Sequence, residues 1–400
     1  MTISLFSGQG SQYEGMGKDI AEAMGLTAAS VTMICTELLE AGMIRELGEA
    51  EGERKAGRKK ILIDLNRQYK KVLCIGIEAD ETYLSLTDLK GEVLASDRMP
   101  TDRDADPEKF LKLAASVCKK LMKDKKVKEK DLLGAGVTMP GKVDREAGIS
   151  YNTYSIWNRE VPVKQIMEKE LQTRVVVENN LKAYAESEIL LGYGRTHDDF
   201  LLVKWGPGVG SAMILDQKVY QGASGLAGEI GHMPVKGSNR PCNCGRKGCL
   251  ETEISTHSLM RDLRDTLGPA EDETGTRIKK KKQQKGEADT LKEWIAAGNR
   301  MTYRNTAEWA ALPDPVVQKV MEEKIDLMCR CIRNAVSILD PDRIIVSGYL
   351  FEVPGLFEKI RGQYGRYDPD KDGEFILQSD LPQRDNHTEA LAVVLEEFFF

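Results

Sequence analysis

One histidine and three cysteines lie within eighteen residues of one another, as His232, Cys242, Cys244 and Cys249. They occur in the segment GHMPVKGSNRPCNCGRKGCLE, where glycine, proline, serine and asparagine favour tight turns. Thiolates and imidazole are the ligands that zinc prefers, and a closed structural site takes four of them in a tetrahedron. The spacing is not that of a zinc finger, but it is short enough to surround one ion. We therefore predict a structural Zn2+ site formed by these four residues.

The alternative is a set of free or disulfide-bonded cysteines. A disulfide would need an oxidising compartment, and the N-terminus lacks the basic stretch and apolar core of a secretory signal. The sequence has no run of about 18 apolar residues, so we expect no membrane-spanning helix. The eight cysteines are therefore interpreted as reduced thiols in a cytoplasmic protein.

The composition is that of a globular protein, with 41% apolar and 30% charged residues over 400 positions. This length predicts two or three domains rather than one core. The formal net charge of −6 argues against a protein coated in nucleic acid, although it permits a small local DNA-binding module. Basic residues do cluster locally, since eight lysines and arginines lie between positions 54 and 71.

Residues 18–44 have the apolar spacing of two helices joined by a tight turn, in which Gly25 ends the first helix and Thr27 caps the second. A short strand, a basic loop and the alternating apolar residues of ILIDL follow, which is the pattern of a wing. We interpret residues 1–70 as a winged helix-turn-helix DNA-binding domain. The alternative is an ordinary helical hairpin followed by a β-hairpin.

The second helix of this module begins TAASVT, and its first residues would face the major groove of DNA. The two alanines suit close approach and contact with thymine methyl groups, and the hydroxyl groups can bond phosphates or base edges. The basic loop would reach the DNA backbone or the adjacent minor groove. The predicted DNA-contacting residues are Thr27, Ala28, Ala29, Ser30, Thr32, Arg58, Lys59 and Lys60.

Residues 4–19 fit this domain badly. They resemble the opening strand and loop of malonyl-CoA:acyl-carrier-protein transacylases, but the Gly-His-Ser nucleophile turn of that family is absent from the chain, so acyl transfer does not follow. The four glycines of this stretch make it a poor helix former. Either the first helix of the DNA-binding domain is irregular or the domain is compromised.

From residue 72 onward, strands form a meander and then alternate with helices, and this order occurs twice. Such a pattern predicts an α/β protein with two lobes and a cleft between them. We place the first α/β lobe at residues 71–195, completed by a C-terminal helix at 387–400. The second lobe, with the zinc site, is placed at 196–386.

The motif GLAGEIGH, the cysteine cluster behind it and the two-lobed pattern resemble the ROK family of repressors, open reading frames and kinases. The resemblance covers residues 18–400 and is most specific at Gly228–His232 and Cys242–Glu251. It implies two lobes of the actin-like ATPase fold, which is ribonuclease-H-like, with a structural zinc. In this family a winged helix-turn-helix in front of the lobes marks a sugar-responsive repressor, whereas members without it are mostly sugar kinases.

Both branches of the family bind a sugar in the cleft beside the zinc. The resemblance therefore implies that His232 holds zinc through one ring nitrogen and faces the sugar with the other. Carboxylates and amides suit adjacent hydroxyls, which both donate and accept hydrogen bonds. For the two glutamates beside the cluster, a surface position is the alternative. The implied sugar-binding residues are Asn179, Asn180, Glu229, His232 and Glu251.

Three departures from the kinase pattern argue against catalysis. Asn180 stands where ROK kinases have the Asp that removes a proton from the sugar hydroxyl, and an amide cannot act as a general base. The Gly-Gly-Thr phosphate turn is replaced by Ile77–Thr82, which carries carboxylates in place of glycines. In the second phosphate loop Pro207 replaces a Thr and lacks an N–H donor. We therefore predict that the chain is not an enzyme.

Together these patterns predict a sugar-responsive transcriptional repressor of carbohydrate genes. Its cofactor would be Zn2+, and its partners operator DNA and a monosaccharide, for which the resemblance implies xylose or a similar sugar. A homodimer or homotetramer would match a palindromic operator. The alternatives are an ATP-dependent sugar kinase with an N-terminal appendage, and a DNA-free sugar-binding or zinc-stabilised scaffold protein.

Overall fold

The chain folds into two compact units, which divide between Ala183 and Tyr184, and its C-terminal helix returns to the first unit. Within the described ranges, no helix is both long enough and apolar enough to cross a membrane. The computed structural model describes residues 27–49, 61–153, 156–157, 159–267, 290–382 and 387–399.

The first unit opens with one helix and a two-stranded hairpin, which are α1 (Ala28–Glu40), β1 (Ile44–Glu49) and β2 (Ile61–Leu65). Thr27 caps α1 as predicted, because its Oγ1 accepts the Ser30 N–H at 3.1 Å. The two strands pair antiparallel, which confirms the strands predicted on either side of the basic loop. The first predicted helix, before Gly25, and the basic loop itself lie outside the described residues.

A five-stranded sheet with two covering helices follows. Its elements, with a small hairpin beside them, are β3 (Lys71–Ile77), β4 (Glu81–Asp88), β5 (Val93–Pro100), α2 (Pro107–Asp124), β6 (Leu132–Met139), β7 (Lys142–Asp144), β8 (Ile149–Asn152), α3 (Val163–Leu171) and β9 (Val175–Asn179). The strand order is β5-β4-β3-β6-β9. β3 to β5 form the predicted antiparallel meander, and β6 and β9 continue the sheet in parallel. Every residue of β6 is buried, as expected at the centre of a sheet covered on both faces.

The second unit repeats this plan. Its sheet has the order β12-β11-β10-β13-β14, with an antiparallel meander followed by two parallel strands. The two predicted α/β lobes are therefore confirmed as two sheets of the same topology. The elements after β9 are α4 (Asn180–Leu191), β10 (Phe200–Trp205), β11 (Val209–Leu215), β12 (Lys218–Val219), α5 (Leu250–Ile254), α6 (Thr256–Leu267), α7 (Leu291–Ala296), α8 (Thr306–Trp309), α9 (Pro315–Leu339), β13 (Arg343–Ser347), α10 (Leu356–Tyr364) and β14 (Ile376–Gln378).

The C-terminal helix α11 (His387–Phe398) packs on the first sheet against β3 and β6. Glycine makes this close approach possible, since a Cβ added at Gly136 would lie 2.2 Å from the Ala390 carbonyl oxygen. α2 and α3 cover the opposite face, where Leu73 and Ile75 are fully buried. The core of the first unit therefore has helices on both sides of its sheet.

The division between the units lies inside α4, earlier than the boundary expected between residues 195 and 196. The N-terminal helix and hairpin fall in the same unit as the first sheet. Lys90, between β4 and β5, forms an ion pair with Asp64 of β2, which ties the hairpin to that sheet. The division into three domains stays a prediction.

Asp314 fixes the start of two helices in the second unit. Its Oδ1 accepts the Val316 N–H of α9 at 2.7 Å, and its Oδ2 accepts the Leu291 N–H of α7 at 2.8 Å. Pro315 occupies the first position of α9, where a missing N–H costs nothing. Asp314 is buried. Its carboxylate therefore accepts hydrogen bonds from helix N–H groups that would otherwise be buried without an acceptor.

Candidate functional site

His232, Cys242, Cys244 and Cys249 lie together in the second unit. Their ligand atoms all fall within 4.8 Å of one another. The Cys242 Sγ is 3.7 Å from the His232 Nδ1, and the Cys244 and Cys249 Sγ atoms are also 3.7 Å apart. Zinc–sulfur bonds of about 2.3 Å in a tetrahedron place ligand atoms about 3.8 Å apart. The four side chains can therefore hold one metal ion, and their chemistry and spacing fit zinc.

Tight turns bring the cysteines together. The Cys242 N–H donates to the Arg246 carbonyl at 2.8 Å and the Gly245 N–H to the Cys242 carbonyl at 2.9 Å. Gly245 has φ +85° and Gly248 has φ +70°, which is the left-handed region where glycine is favoured. A Cβ at Gly248 would also lie 2.5 Å from the Ser238 carbonyl oxygen. The glycines between the cysteines are thus required by the backbone path.

The electrostatic surroundings favour the metal-binding forms of Cys244 and His232, whereas burial raises the pKa of Cys242 to about 12 and also raises the pKa of Cys249. The Arg246 Nε–H donates to the Cys244 Sγ at 3.4 Å. Burial would raise the pKa of Cys244, but this hydrogen bond favours the thiolate and the pKa falls to about 7. Burial and the nearby Arg246 lower the pKa of His232, so its imidazole is neutral at pH 7. A thiolate and a neutral imidazole are the protonation states that bind metal.

His232 presents its second nitrogen to Glu229. Nδ1 is on the cysteine side, whereas Nε2 is 3.7 Å from the Glu229 Oε2. His232 ends a short 3₁₀ helix, Ile230–His232, which packs closely on β11, since a Cβ at Gly231 would lie 1.8 Å from the Val209 carbonyl oxygen. The Glu229 side chain is 37% exposed, so it can reach a ligand from solvent.

Glu251 lies in the first turn of α5, two residues after Cys249. Its Oε2 accepts the Val209 N–H at 3.0 Å. Burial raises the pKa of Glu251, and this hydrogen bond opposes the increase. Val209 follows the tight turn in which the Gly206 N–H donates to the Gly208 carbonyl at 3.0 Å. The Glu251 carboxylate therefore accepts the first backbone N–H after this glycine turn.

Asn179 and Asn180 lie in the first unit, where β9 meets α4. The Asn179 Oδ1 accepts the N–H groups of Leu181 and Lys182 at 2.9 and 3.2 Å, and its Nδ2 donates to the Gly141 carbonyl at 2.8 Å. Asn179 thus caps α4, a role that the sequence reasoning did not include. Within the described part of the chain, the second N–H of its amide remains available to a ligand.

The Asn180 amide contacts a residue that sequence reasoning did not assign to the site. Its Nδ2 donates to the Glu78 Oε1 at 3.2 Å. Glu78 directly follows β3, and its N–H donates to the Glu81 carbonyl at 3.0 Å, so the turn after β3 closes on itself. No sequence signal joins the two positions, which are 102 residues apart. Only the parallel pairing of β3, β6 and β9 places them side by side.

The predicted DNA-contacting residues are partly described. Thr27 and Thr32 are exposed and Ser30 is half-buried on α1, and the Thr27 Oγ1 is 2.9 Å from the Ser30 Oγ. The backbone of Ala28 and Ala29 forms the first turn of the helix. The remaining predicted contacts, Arg58, Lys59 and Lys60, lie outside the described residues.

Several proteins named as transcriptional regulators have similar sequences. The xylose repressor of Caldicellulosiruptor bescii is 26% identical over 343 residues, which cover 86% of this chain and 81% of that protein. The xylose repressor of Bacillus subtilis is 26% identical over 246 residues, 61% of this chain and 62% of that protein. The DNA-binding transcriptional dual regulator NagC of Escherichia coli is 24% identical over 335 residues, 83% of this chain and 76% of that protein.

Solved structures share the fold. A ROK family transcriptional regulator, homologous to the E. coli Mlc protein, has a TM-score of 0.73 at 20% identity and covers 95% of this chain and 91% of its own. A ROK family glucokinase from Streptomyces griseus has a TM-score of 0.64 at 22% identity and covers 81% of this chain and 98% of its own. The two five-stranded sheets are those of the actin-like α/β fold. The family model of the ROK family matches residues 72–389, and this protein therefore belongs to the ROK family.

Proposed function

We propose that this protein is a sugar-responsive transcriptional repressor of carbohydrate-utilisation genes. The observation that carries the proposal is the extent of the structural likeness. The transcriptional regulator covers 95% of the chain and the glucokinase covers 81%. Coverage of 95% has to include much of the region before residue 72, where the family model begins. This extent supports the assignment of the helix α1 and the hairpin β1–β2 to a regulator's N-terminal module.

The N-terminal elements support a winged helix-turn-helix. α1 is capped at Thr27 and leads directly into the hairpin, which is the order of a recognition helix and a wing. Thr27 and Thr32 are exposed residues, and hydroxyl side chains are suited to phosphates or base edges. Arg58, Lys59 and Lys60, with Ala28, Ala29 and Ser30, complete the proposed DNA-binding set.

The cysteine cluster is proposed to hold a structural zinc ion. His232, Cys242, Cys244 and Cys249 would be its ligands, because three sulfurs and one imidazole nitrogen are a known closed zinc set. When bound, zinc supplies a cross-link that fixes this segment. The protein residues then orient His232 Nε2 toward Glu229 and place Glu251 on the helix that begins after Cys249.

We assign effector binding to two local sets of polar groups. Beside the cysteine cluster the assigned residues are Glu229, His232 and Glu251, and at the start of α4 they are Asn179 and Asn180. The proposed effector is a monosaccharide such as xylose, because the relatives include xylose repressors. Binding would change operator affinity through a differential affinity of the sugar for one conformation, and a coupling of about 1–3 kcal/mol is enough.

Phosphoryl transfer is not part of the proposal. The Asn180 amide donates to Glu78 and offers no base for the sugar hydroxyl. The Val209 N–H, in the loop aligned with a phosphate-binding loop, donates to Glu251. The Glu78 carboxylate disfavours a bound triphosphate, because it stands where phosphate oxygens would need N–H donors.

Operator footprinting with the full-length chain tests the repressor function. Protection of an operator in the chain's own genomic neighbourhood should be relieved by D-xylose, D-glucose or N-acetyl-D-glucosamine. Glu229→Gln should weaken the response to the effective sugar, while Glu374→Gln, an exposed carboxyl far along the chain, should leave it unchanged. Operator protection that none of the three sugars changes would contradict the proposed sugar response.

The same preparation distinguishes the kinase alternative. Incubation with ATP and each sugar, followed by measurement of ADP, should give no turnover above a protein-free blank. Sustained ADP release that depends on sugar would replace the repressor proposal with a kinase. Light scattering with and without operator DNA measures the proposed dimer or tetramer.

A further inference from the structure

Glu78 and Asn180 form a half-buried pair at the ends of neighbouring elements. Glu78 follows β3 and Asn180 begins α4, and the Asn180 Nδ2 donates to the Glu78 Oε1 at 3.2 Å. Both side chains retain some solvent exposure, so a ligand can reach them. Glu78 and Asn180 are not ligands of the proposed zinc site, and the cap of α4 is formed by Asn179 instead.

The backbone around Glu78 is held on several sides. Its N–H donates to the Glu81 carbonyl at 3.0 Å, and the Thr101 N–H donates to the Asp80 carbonyl at 3.1 Å. The Arg103 Nε–H donates to the Ala79 carbonyl at 2.7 Å. A turn fixed in this way presents the Glu78 carboxylate from a rigid position, which is what a recognition residue needs.

The pair offers mostly acceptors to a ligand. A carboxylate accepts through both oxygens. The Asn180 Nδ2 faces Glu78, so the Asn180 Oδ1, at the other end of the amide, points away from Glu78 and is the acceptor that Asn180 offers. Adjacent hydroxyl groups of a neutral sugar can donate to both residues at once. Hydrogen bonds to a charged acceptor are stronger than those between neutral groups.

We propose that Glu78 is a sugar-binding, specificity-determining residue, which acts with Asn180 as a paired acceptor for neighbouring hydroxyls of a neutral monosaccharide. This inference rests on the proposed function, because it adds a residue to the effector site assigned there. The carboxylate that replaces the kinase phosphate turn thereby has a function of its own. The Glu78 carboxylate accepts hydrogen bonds from hydroxyl groups of the effector.

Calorimetric titration of the full-length chain with D-xylose, D-glucose and N-acetyl-D-glucosamine tests the role of Glu78. For the sugar that wild type binds, Glu78→Gln should raise Kd about tenfold, since a neutral acceptor replaces a charged one. Glu78→Ala should raise Kd further, to about a hundredfold. The matched control is Asp80→Asn, which removes the same charge at an exposed position of the same turn and should leave Kd within about twofold.

An exchange of the two groups tests the pairing. Asn180→Asp alone places two carboxylates in contact and should raise Kd at least tenfold. The double variant Glu78→Gln with Asn180→Asp restores a donor opposite an acceptor, and should recover a large part of that loss. The melting temperature of each variant is measured alongside, because a purely structural residue would lower it while leaving Kd unchanged.

The possible results distinguish failure of the proposed function from failure of the role of Glu78. Wild type that binds none of the three sugars and shows no sugar response in footprinting would overturn the proposed function. Wild type that binds a sugar, with Glu78→Ala and Glu78→Gln folded and equal to it in Kd, would overturn the role of Glu78 alone. Loss of affinity in both Glu78 variants, with Asp80→Asn unchanged, would support it.

Discussion

Arg246 supplies positive charge to a cluster that would carry excess negative charge around a metal. Three thiolates exceed the charge of one divalent ion, and the Arg246 Nε–H donates to the Cys244 Sγ at 3.4 Å. Such an outer contact fixes the orientation of a ligand and adjusts its basicity. Cys244 is therefore the cysteine whose replacement should empty the proposed zinc site most directly.

Cys244→Ser should reduce bound zinc from about one ion per chain to a small fraction of that, because a hydroxyl is a poor zinc ligand at neutral pH. The melting temperature should fall by roughly 5 °C. Elemental analysis and thermal unfolding measure the two effects. Cys35→Ser, at a half-buried cysteine of α1, is the control and should keep its zinc. Full zinc content in Cys244→Ser would refute the ligand assignment.

A buried hydrogen-bond network in the second unit is separate from the proposed zinc ligands. The Tyr184 hydroxyl is 2.7 Å from the Ser379 Oγ, which donates to Glu188, and the Tyr193 N–H donates to the Glu188 Oε2 at 3.2 Å. Glu188 is fully buried. Burial raises the pKa of Glu188, and the hydrogen bond from Ser379 opposes the increase.

Glu188→Gln should change how stability depends on pH. A carboxyl with a raised folded-state pKa keeps its proton where the unfolded chain has lost it, so its contribution is present below the unfolded value of about 4.3 and is lost as pH rises through the folded pKa. Wild type should therefore lose melting temperature relative to Glu188→Gln as pH rises from about 4 to 7. Thermal unfolding across that range measures it, with Glu374→Gln as a control that follows wild type. Parallel curves for all three proteins would contradict the assignment.

Local spacing decides which of these residues could be predicted. The four cluster residues are close in sequence, so their types and the glycines between them suffice to predict that they meet. The contacts of Glu78 with Asn180 and of Glu251 with Val209 join distant positions. They depend on strand pairing and on the packing of α5, which no single segment encodes.

At the scale of elements, buried periodic segments could be predicted well. The sequence also predicts a helix over residues 315–339, and α9 has the same bounds, because its apolar stripe is long and Asp314 and Pro315 mark its start. The three-residue strand β14 was not predicted. A strand this short has no pattern of its own, and its place at the sheet edge comes from pairing with β13.

Gly136→Ala should disturb the contact between β6 and the C-terminal helix α11. The added Cβ would lie 2.2 Å from the Ala390 carbonyl oxygen, and this backbone cannot rotate away as a side chain could. A loss of about 1–3 kcal/mol in the free energy of unfolding is expected, as for other overpacked sites. Urea denaturation measures it. Gly362→Ala, where an added Cβ meets nothing within 4 Å, is the control and should be neutral or slightly stabilising. Equal stability of both variants would show that α11 is not packed as described.

At the scale of the whole molecule, two sheets of one topology follow a small N-terminal module. The strand order of each sheet is the same, although the connections differ in length. The family match covers the two sheets. The proposed operator binding depends on α1 and the hairpin β1–β2 before them. Operator affinity and sugar binding should therefore respond to different variants.

A combined replacement of Arg58, Lys59 and Lys60 by Ala should weaken operator binding at all sequences. Each phosphate contact adds about one unit to the slope of log affinity against log salt concentration, so the slope should fall by up to about 3. Electrophoretic mobility shifts at several salt concentrations measure it. Replacing Lys120, Lys123 and Lys125, which are exposed on and after α2, is the matched control. An unchanged slope in the first variant would exclude the basic loop from the DNA contact, and sugar affinity should be unaffected in both.

The double hold of Asp314 on α7 and α9 has a practical use in engineering the protein. α6 is held through an ion pair between Asp262 and Lys324, and α7 starts at a backbone N–H that Asp314 accepts. Both anchors are formed by residues that lie before position 268 or after position 289. Lengthening a connection costs only about 0.6 kcal/mol per doubling. A fluorescent protein or affinity tag placed in that stretch should leave the second sheet assembled, giving a reporter fused within the chain and away from both termini.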